Sequence, residues 1–244
     1  MTFVRCSFIS DLHLDTATPQ RLNAFSRVLR RESAQCDELY VLGDLTEVWI
    51  GDDDDSAFAA ALKSELLDAA TRCRIRLMHG NRDFLIGDDF ARTCRVELID
   101  DPTLIERNGK RLLLCHGDTL CTDDVAYQRT RTILRSPEWQ NEMKAKSLSE
   151  RRSLASAMRA QSQAANANKP INIMDATETA VAEIISRHGA DVLIHGHTHR
   201  PGIHAAGNAA TRYVLGDWNR CGWLLRFDAD FTLLQFPLAG RCEI

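Results

Sequence analysis

Histidine, aspartate and asparagine residues recur directly after apolar runs of this sequence, where a buried strand would end. The stretch "LIHGHTHRP", residues 193–201, places three of the chain's eight histidines within five positions. Four other runs end in a similar way, in "FISDLHL", "YVLGDL", "LMHGNRD" and "LLCHGD". One such residue alone is more often a turn residue, a cap or a buried histidine, but repetition at five strand ends favours ligands. The residues concerned are Asp11, His13, Asp44, Asn81, His116, His197 and His199.

These side chains form an oxygen and nitrogen set without thiolate, which suits Mn, Fe or a catalytic Zn. Seven ligands are too many for one tetrahedral site. They fit two ions about 3.5–4 Å apart that share a bridging carboxylate, an arrangement that activates water for attack on phosphorus. We take Asp44 as the bridging residue.

The elements that must position these residues follow from the apolar runs. Six short runs predict strands, namely "VRCSFIS", "ELYVLG", "RIRLMHG", "KRLLLCHG", "ADVLIHG" and "TRYVLG", and helical patterns such as "FAAALKSELLDAATR" lie between some of them. This alternation predicts an α/β protein whose motifs converge at the carboxyl ends of the strands. The segments "WLLRF" and "FTLLQF" around "DAD" predict a hairpin, so the sheet is expected to be mixed.

Composition narrows the classes of protein. The 244 residues, 44% hydrophobic, can bury a large core, and the formal net charge of -4 argues against a general nucleic-acid binder. The sequence shows no apolar run of about 18 residues and no signal-peptide pattern. The eight cysteines include no C-x-x-C pair, so we expect reduced thiols in a cytoplasmic protein.

One segment differs in charge from the rest. Residues 128–169 hold nine Lys or Arg against three Glu, a balance of +6, and they look helical without a strand signal. We therefore divide the chain into a core of residues 1–127 and 170–244 and a helical insertion of residues 128–169. A solvated pair of surface helices is the plain alternative. The acidic run Asp52–Asp55 is interpreted as a solvated turn with a role at a helix N-terminus.

The motifs "DLHL", "GDLTEVW", "GNRD", "CHGD" and "GHTHRP" resemble, in this order, those of the calcineurin-like metallophosphoesterase family. Longer strings, including "VLGDLTEVWIGDD", "LLCHGDTLCTDD", "NIMDAT" and "RYVLGDW", resemble the branch that hydrolyses the diphosphate of UDP-2,3-diacylglucosamine in lipid A synthesis. The resemblance implies a fold of mixed sheets sandwiched by helices, with the insertion as a lid. It also implies two divalent ions, most typically Mn²⁺. One would be held by Asp11, His13, Asp44 and His199, and the other by Asp44, Asn81, His116 and His197.

Position by position, the resemblance implies further roles. Asp44, Asn81, Arg82 and His116 would be catalytic, and the substrate would contact Asn81, Arg82, Asp124, Ser162, Asn166, Lys169 and His197. Many family members carry a histidine where this chain has Arg82. Arginine cannot give up a proton, but it can bind a diphosphate and stabilise developing charge. His195 has no family ligand role and is expected to be structural or to support a neighbouring ligand. Thr46 stands where the family often has an aromatic residue, so the resemblance does not define the detailed shape of the pocket.

The implied reaction yields UMP and 2,3-diacylglucosamine 1-phosphate by attack of activated water on the α-phosphorus. A phosphodiesterase or nuclease of the same superfamily and a non-catalytic interaction module are the alternatives. We expect a monomer that binds a lipid-linked UDP-sugar, binds no nucleic acid and rests on the cytoplasmic face of the inner membrane. The insertion would be drawn to the membrane through its basic residues, Arg151, Arg152 and Arg159 among them. Trp139, Leu148, Leu154 and Met158 would enter the lipid or line an acyl groove.

Overall fold

The computed structural model describes residues 3–167, 171–207 and 209–239. Within these residues two β-sheets pack face to face, and helices cover the outer surface of each sheet. Both sheets contain parallel and antiparallel strand pairs. The predicted α/β class and the mixed character of the sheets are therefore confirmed.

The first sheet has the strand order β11–β10–β1–β2–β3–β4. Strands β1 to β4 are parallel, and the hairpin β10–β11 joins the sheet antiparallel to β1. Both faces of β1 and β2 are buried, which explains their continuous apolar runs. The bounds are β1 Cys6–Ile9, β2 Glu38–Leu42, β3 Arg74–Met78, β4 Glu97–Ile99, β10 Cys221–Phe227 and β11 Phe231–Pro237.

The second sheet has the strand order β5–β6–β7–β9–β8. Its central strands β6, β7 and β9 are parallel, while β5 and β8 form antiparallel edges. The bounds are β5 Thr103–Arg107, β6 Lys110–Leu114, β7 Val192–His195, β8 Gly202–Ala206 and β9 Ala210–Val214.

The helices begin at recognisable caps. The side chains of Ser56, Asp124, Ser136 and Thr177 each accept a hydrogen bond from the backbone N–H three residues later, which satisfies a donor of the first helical turn. The bounds are α1 Pro19–Ser33, α2 Ala57–Ala69, α3 Asp88–Cys94, α4 Val125–Leu134, α5 Pro137–Ala145, α6 Leu148–Ala167 and α7 Glu178–His188.

Apolar contacts hold the layers together. Phe8 and Tyr40 from the first sheet meet Leu114 and Ile194 from the second in the space between the sheets. Helices α1 to α3 cover the other face of the first sheet, and α7 covers that of the second. Because the layers fix the sheets on both faces, the loops that leave the strand ends start from rigid points.

The six predicted strands and the hairpin are present, but β4, β5 and β8 were not predicted. β4 is only three residues long, and β5 and β8 lie at the edges of the second sheet, where half-exposed residues break the apolar run. Short edge strands give a weak hydrophobic pattern, which is why the sequence did not reveal them.

Helices α4, α5 and α6 occupy the segment that the sequence predicted to be helical. α4 begins at Val125, three residues before the predicted start of the insertion, because Asp124 caps it. Met143 of α5 is buried in the core beside helices α1 to α3, and Trp139 packs on its edge. α5 is therefore packed on the main body, and the alternative of a solvated surface helix does not describe it.

Six cysteines, Cys6, Cys36, Cys73, Cys94, Cys115 and Cys121, are buried free thiols, as the sequence predicted. Cys221 at the start of β10 is disulfide-bonded, so the expectation of reduced thiols is wrong at that position.

Candidate metal centre and adjoining cavity

The loops at the carboxyl ends of five parallel strands meet at one place. Asp11 and His13 follow β1, Asp44 follows β2 and Asn81 follows β3, all in the first sheet. The second sheet contributes His116 after β6, and His197 and His199 after β7. The structure therefore brings together all seven residues that the sequence singled out as ligands.

The backbone of these loops is unusual. Asp11, His13, Asp44, His197 and His199 all have φ between 49° and 65°, in the left-handed region that favours glycine. A non-glycine residue holds this conformation only where its surroundings enforce it, and such residues cluster at functional sites. The strain aims five polar side chains at a common point.

Asp11, His13 and His199 form one cluster of ligand-type atoms. The Nε2 atoms of His13 and His199 lie 3.4 Å apart, and His199 Nε2 is also 3.4 Å from Asp11 Oδ1. Asp44 Oδ2 lies 3.8 Å from His13 Nε2. Carboxylate oxygens and imidazole nitrogens thus surround a single space.

A second cluster lies on the other side of Asp44. Asp44 Oδ1 is 3.9 Å from His116 Nε2, and Asn81 Oδ1 is 3.0 Å from both His116 Nε2 and His197 Nδ1. His116 Nδ1 lies 2.9 Å from the Leu42 carbonyl and donates to it, which directs Nε2 towards the cluster as a ligand-type atom. Asp44 is placed between the two clusters, where a bridging carboxylate would be.

Buried hydrogen bonds hold the loops in place. Both oxygens of Asp83 accept backbone N–H groups, one from Gly80 and one from Leu45, and so join the loops after β3 and β2. Asp11 accepts from the backbone of His197 and from the hydroxyl of Ser10. A side chain at Gly80 would collide with Asp44, since an added Cβ would lie 2.1 Å from its Oδ1.

The electrostatics favour cation binding. Burial lowers the pKa of His13 and of His197 to about 3, so both imidazoles are neutral and keep a lone pair for a metal. Burial, with Asp83 and Asp11 close by, raises the pKa of Asp44 to about 7. Burial would lower the pKa of His116, but the surrounding carboxylates Asp44, Asp118 and Asp11 raise it to about 9.

The residues therefore fit two divalent ions. Lone pairs of several imidazoles and an amide oxygen converge with buried carboxylates, and a cation satisfies this combination better than protons do. Ions held there would polarise a phosphoryl oxygen and lower the pKa of a bound water.

The expected substrate residues are distributed around this centre. Arg82 lies beside the clusters, with its backbone N–H on Asp44 Oδ1, and Asp124 and Ser162 line the adjoining cavity. The side chain of Asn166 and the whole of Lys169 lie outside the described residues. His195 is buried and neutral because burial lowers its pKa to about 4, and its Nδ1 lies 2.9 Å from the carbonyl of Gly196.

The sequence interpretation missed Glu47, whose carboxylate lies within 4 Å of His13, Arg82 and Arg159. Glu47 stands three residues after Asp44 inside the quoted motif "GDLTEVW", a position that could have drawn attention to it. Thr46, beside it, is fully buried.

A cavity of about 540 Å³ opens from the metal centre. His13, Asp44, Asn81, Arg82 and His197 line one part of it. Apolar side chains line the remainder, among them Trp49, Phe84, Leu134, Trp139, Met143 and Met158. Several of these come from α4, α5 and α6, so the cavity lies between those helices and the main body.

The arginines of α6 are paired with the main body. Arg151, 3% exposed, binds Asp53 and the carbonyl of Ile50, and Arg152 binds Asp54 and Asp55. Arg159 lies 3.1 Å from Glu47. Acidic groups of the protein therefore already pair with these three arginines, which the expected attraction to lipid headgroups did not include.

The acidic run has two uses in the structure. Asp52 accepts the backbone N–H groups of Gly87 and Phe90 at the start of α3, which agrees with the expected role at a helix N-terminus. The three carboxylates that follow are ion-paired with Arg151 and Arg152, which the interpretation as a solvated turn did not include.

The chain belongs to the calcineurin-like phosphoesterase family, whose model matches residues 5–201. This membership confirms the expected fold family and, with the complete set of ligand-type side chains, makes the protein a metal-dependent hydrolase. A solved archaeal phosphodiesterase shares the fold, with a TM-score of 0.51 at 12% identity over 96% of this chain and 100% of that one.

Closer relatives share one name. The chain is 47% identical to the UDP-2,3-diacylglucosamine hydrolase of Chromobacterium violaceum over 93% of this chain and 97% of the relative. It is 45% identical to the protein of the same name in Azotobacter vinelandii, over 94% and 98% of the two chains. The narrower resemblance drawn from the motifs is thus confirmed.

Among the described residues, no helix is both long enough and apolar enough to span a bilayer.

Proposed function

We propose that this protein hydrolyses UDP-2,3-diacylglucosamine to UMP and 2,3-diacylglucosamine 1-phosphate, a step of lipid A synthesis. The observation that carries the proposal is the cavity, which joins the ligand clusters directly to an apolar space. A diphosphate with two acyl chains needs both kinds of surface side by side. The identity to proteins named for this activity supports the same substrate.

The residues divide the chemical work. Asp11, His13, Asp44 and His199 would hold one divalent ion, and Asp44, Asn81, His116 and His197 the other. Together the ions would supply Lewis acidity and a water activated at neutral pH. In the proposed hydrolysis, the oxygen of a water would form a bond to the α-phosphorus and its proton would pass to solvent. The bond from this phosphorus to the bridging oxygen would break, and the sugar 1-phosphate would leave with the electron pair.

Arg82 would bind the diphosphate beside these ligands. Its guanidinium can hold two phosphate oxygens at once and stabilise the charge that develops on them. It cannot act as a general acid. A phosphate leaving group suits such a site, because it departs without the proton that an alkoxide requires.

We propose Mn²⁺ as the preferred ion, since the ligand set is rich in oxygen and imidazole and has no thiolate. Asp124, Ser162, Asn166 and Lys169 are proposed to contact the sugar, phosphate or nucleotide parts of the substrate.

We propose that α4, α5 and α6 form a lid that encloses the acyl chains. Trp139 and Met158 line the cavity, as expected for acyl contacts. Leu154, assigned to the same groove from the sequence, is 38% exposed and does not line the cavity. Met158 and Leu154, both on α6, therefore give a matched pair of variants.

We propose that the protein is a monomer and that it attaches peripherally to the cytoplasmic face of the inner membrane. Val125 and Ile133 of α4 are exposed apolar residues, with exposed Arg129 between them on the same helix face. Such a face can enter the headgroup region of a bilayer and pair with its anionic lipids.

The test of the reaction begins with chelated protein to which Mn²⁺, Mg²⁺ or Zn²⁺ is returned. Turnover is measured on UDP-diacylglucosamine, bis-p-nitrophenyl phosphate and a polynucleotide. We expect Mn²⁺-dependent release of UMP with strong preference for the UDP-lipid. Equal or better turnover of the polynucleotide would contradict the proposal.

The lid is tested with Met158→Asp and the control Leu154→Asp. We expect Met158→Asp to impair turnover of a long-chain substrate far more than that of a short-chain soluble analogue, while Leu154→Asp changes neither.

Membrane attachment is tested by flotation of Ile133→Asp with anionic liposomes, against Ile203→Asp on β8 as an equally exposed control. Equal flotation of both variants would exclude the α4 face.

A further inference from the structure

The carboxylate of Glu47 is surrounded by three basic side chains from three parts of the chain. Its Oε2 lies 3.3 Å from His13 Nδ1. Its Oε1 lies 3.1 Å from Arg159 Nε and 3.9 Å from Arg82 Nη1. A single acidic group thus faces a proposed metal ligand, the proposed phosphate-binding arginine and a residue of α6.

Backbone hydrogen bonds fix the position of Glu47. Glu47 donates its N–H to the carbonyl of Leu14, and the carbonyl of Asp44 accepts the N–H of His13. The loops after β1 and β2 are therefore bonded to each other on both sides of the site. With a side chain only 11% exposed, Glu47 has little freedom to turn towards solvent.

The imidazole of His13 needs an acceptor at Nδ1. This atom is buried and has no well-aligned hydrogen bond among the described residues, while Nε2 faces Asp44 and His199. A buried N–H without an acceptor is costly, and a metal-binding histidine commonly directs its second nitrogen to a carboxylate. Glu47 is the carboxylate within reach, and it favours the tautomer that leaves the Nε2 lone pair for a metal.

The two arginines require a negative charge between them. Arg82 comes from the loop after β3 and Arg159 from α6, and both guanidinium groups approach the same oxygen of Glu47. Two cations at such separations repel each other unless an anion lies between them. Glu47 supplies that charge and so holds Arg159 of the proposed lid beside the diphosphate-binding part of the cavity.

We propose that Glu47 is a positioning residue that sets the orientation of His13 and the placement of Arg82 and Arg159. The inference rests on the proposed function for the role of the arginines, whereas the orientation of His13 depends only on metal binding. Glu47 itself touches none of the reacting atoms in this role.

The test compares Glu47→Gln with Glu47→Ala. Glutamine keeps an acceptor oxygen for His13 and removes the charge between the arginines, while alanine removes both. Calorimetric titration of the chelated protein with Mn²⁺ should show binding about 10–100-fold weaker for Glu47→Ala. For Glu47→Gln we expect Mn²⁺ affinity within about threefold of the original protein, because the hydrogen bond to His13 remains possible.

Kinetics at saturating Mn²⁺ give a second readout. For both variants we expect kcat on the UDP-lipid to fall about tenfold or more, as for a misplaced stabilising donor. KM should stay level or fall, because the arginines lose a competing anion and attract the diphosphate at least as strongly. A residue that served only for folding would not separate kcat from KM in this way.

Asp15→Asn is the matched control, because Asp15 Oδ2 lies 3.9 Å from Arg159 and forms no ion pair with His13 or Arg82 within the described ranges. It should leave Mn²⁺ affinity and kcat within about twofold. The proposal is overturned if Glu47→Ala, folded by circular dichroism, binds Mn²⁺ as tightly as the original protein. It is also overturned if both variants keep full kcat on bis-p-nitrophenyl phosphate and the UDP-lipid. The titration needs no substrate, so it separates a wrong substrate from a wrong role for Glu47.

Discussion

Charged groups are buried at both ends of the first sheet, but only at one end are they fully paired with opposite charges. At the amino end of β2, Glu38 accepts hydrogen bonds from Arg107 and from the Tyr40 hydroxyl and pairs with Arg76 at 2.9 Å. Burial would raise its pKa, yet these partners lower it to about 2. At the carboxyl end of the same strand, burial raises the pKa of Asp44 to about 7.

The contrast separates a structural cluster from a binding site. The Glu38 cluster joins the two sheets, since Arg107 belongs to β5, and it supplies its own counter-charge. The cluster around Asp44 collects carboxylates and imidazole lone pairs without enough positive charge. A cation stabilises a buried group of this kind, which is the physical reason to place the metal ions there.

The largest expected effect is that of Asp44→Ala. The change removes the carboxylate between the two clusters, so we expect loss of bound metal and turnover at background level. The fold should survive, because the metal contributes only part of its stability. Elemental analysis and circular dichroism measure the two outcomes, with Asp68→Ala on α2 as control. Two tightly held ions per chain in the variant would show that Asp44 does not bridge them.

Arg82→Ala comes next. Loss of a charge-stabilising donor should lower kcat/KM on the diphosphate about 100–1000-fold, or about 3–4 kcal/mol. Arg82→Lys should recover only part of this, because lysine keeps the charge but lacks the planar fork. Steady-state assays on UDP-diacylglucosamine measure both variants. An unchanged rate for the alanine variant would mean that the arginine does not reach the phosphate.

At the balanced end, Glu38→Gln should affect stability and spare catalysis. Arg76 and Arg107 would lose their partner charge, and we expect the free energy of unfolding at pH 7 to fall by about 3 kcal/mol. Denaturant titration measures this, while activity per folded molecule should be unchanged. A catalytic defect in the folded variant would contradict the separation of the two ends.

The pH dependence of unfolding also tests whether Glu38 stabilises the fold through its charge. Because the folded pKa of Glu38 is about 2 and the ordinary value is 4.5, the unfolded chain takes up a proton first as pH falls. The stabilisation is complete above about pH 4.5 and is lost between there and about pH 2. Glu38→Gln should therefore lose its disadvantage relative to the original protein across that interval. A gap that stays constant from pH 7 to pH 2 would exclude this origin.

The smallest expected effect belongs to Arg152→Ala. Arg152 is exposed and pairs with the surface carboxylates of Asp54 and Asp55. Exposed pairs contribute about 0–1 kcal/mol, so thermal unfolding should shift only slightly. Flotation with anionic liposomes should not change either, since this charge is already compensated. A clear loss of flotation would restore α6 as a membrane contact.

The central strands and the seven ligand-type residues could be predicted because they follow one rule. Each strand buried on both faces leaves a continuous apolar run, and each ligand stands within a few residues of its end. Asp11 and His199 could thus be grouped although 188 positions separate them. The edge strands β5 and β8 left no such run and were missed.

The contacts of Glu47 and the pairing of the α6 arginines could not be predicted for a different reason. The charge of residues 128–169 is visible in the sequence, but its partners are not, since Asp53 and Arg151 lie 98 positions apart. Whether a charged helix faces solvent, a membrane or its own protein depends on tertiary packing. Local patterns carry no record of that packing.

Backbone strain and ligand-type side chains coincide at Asp11, His13, Asp44, His197 and His199, where the backbone is left-handed. Glycine would adopt these conformations without strain, which costs other residues on the order of 1 kcal/mol each. Replacement by glycine should therefore relieve this strain but remove the ligand-type side chain, and at Asp11 and Asp44 it would also remove the buried hydrogen bonds that the carboxylates accept. These loops thus carry strained backbone for the sake of ligand-type side chains, which glycine lacks.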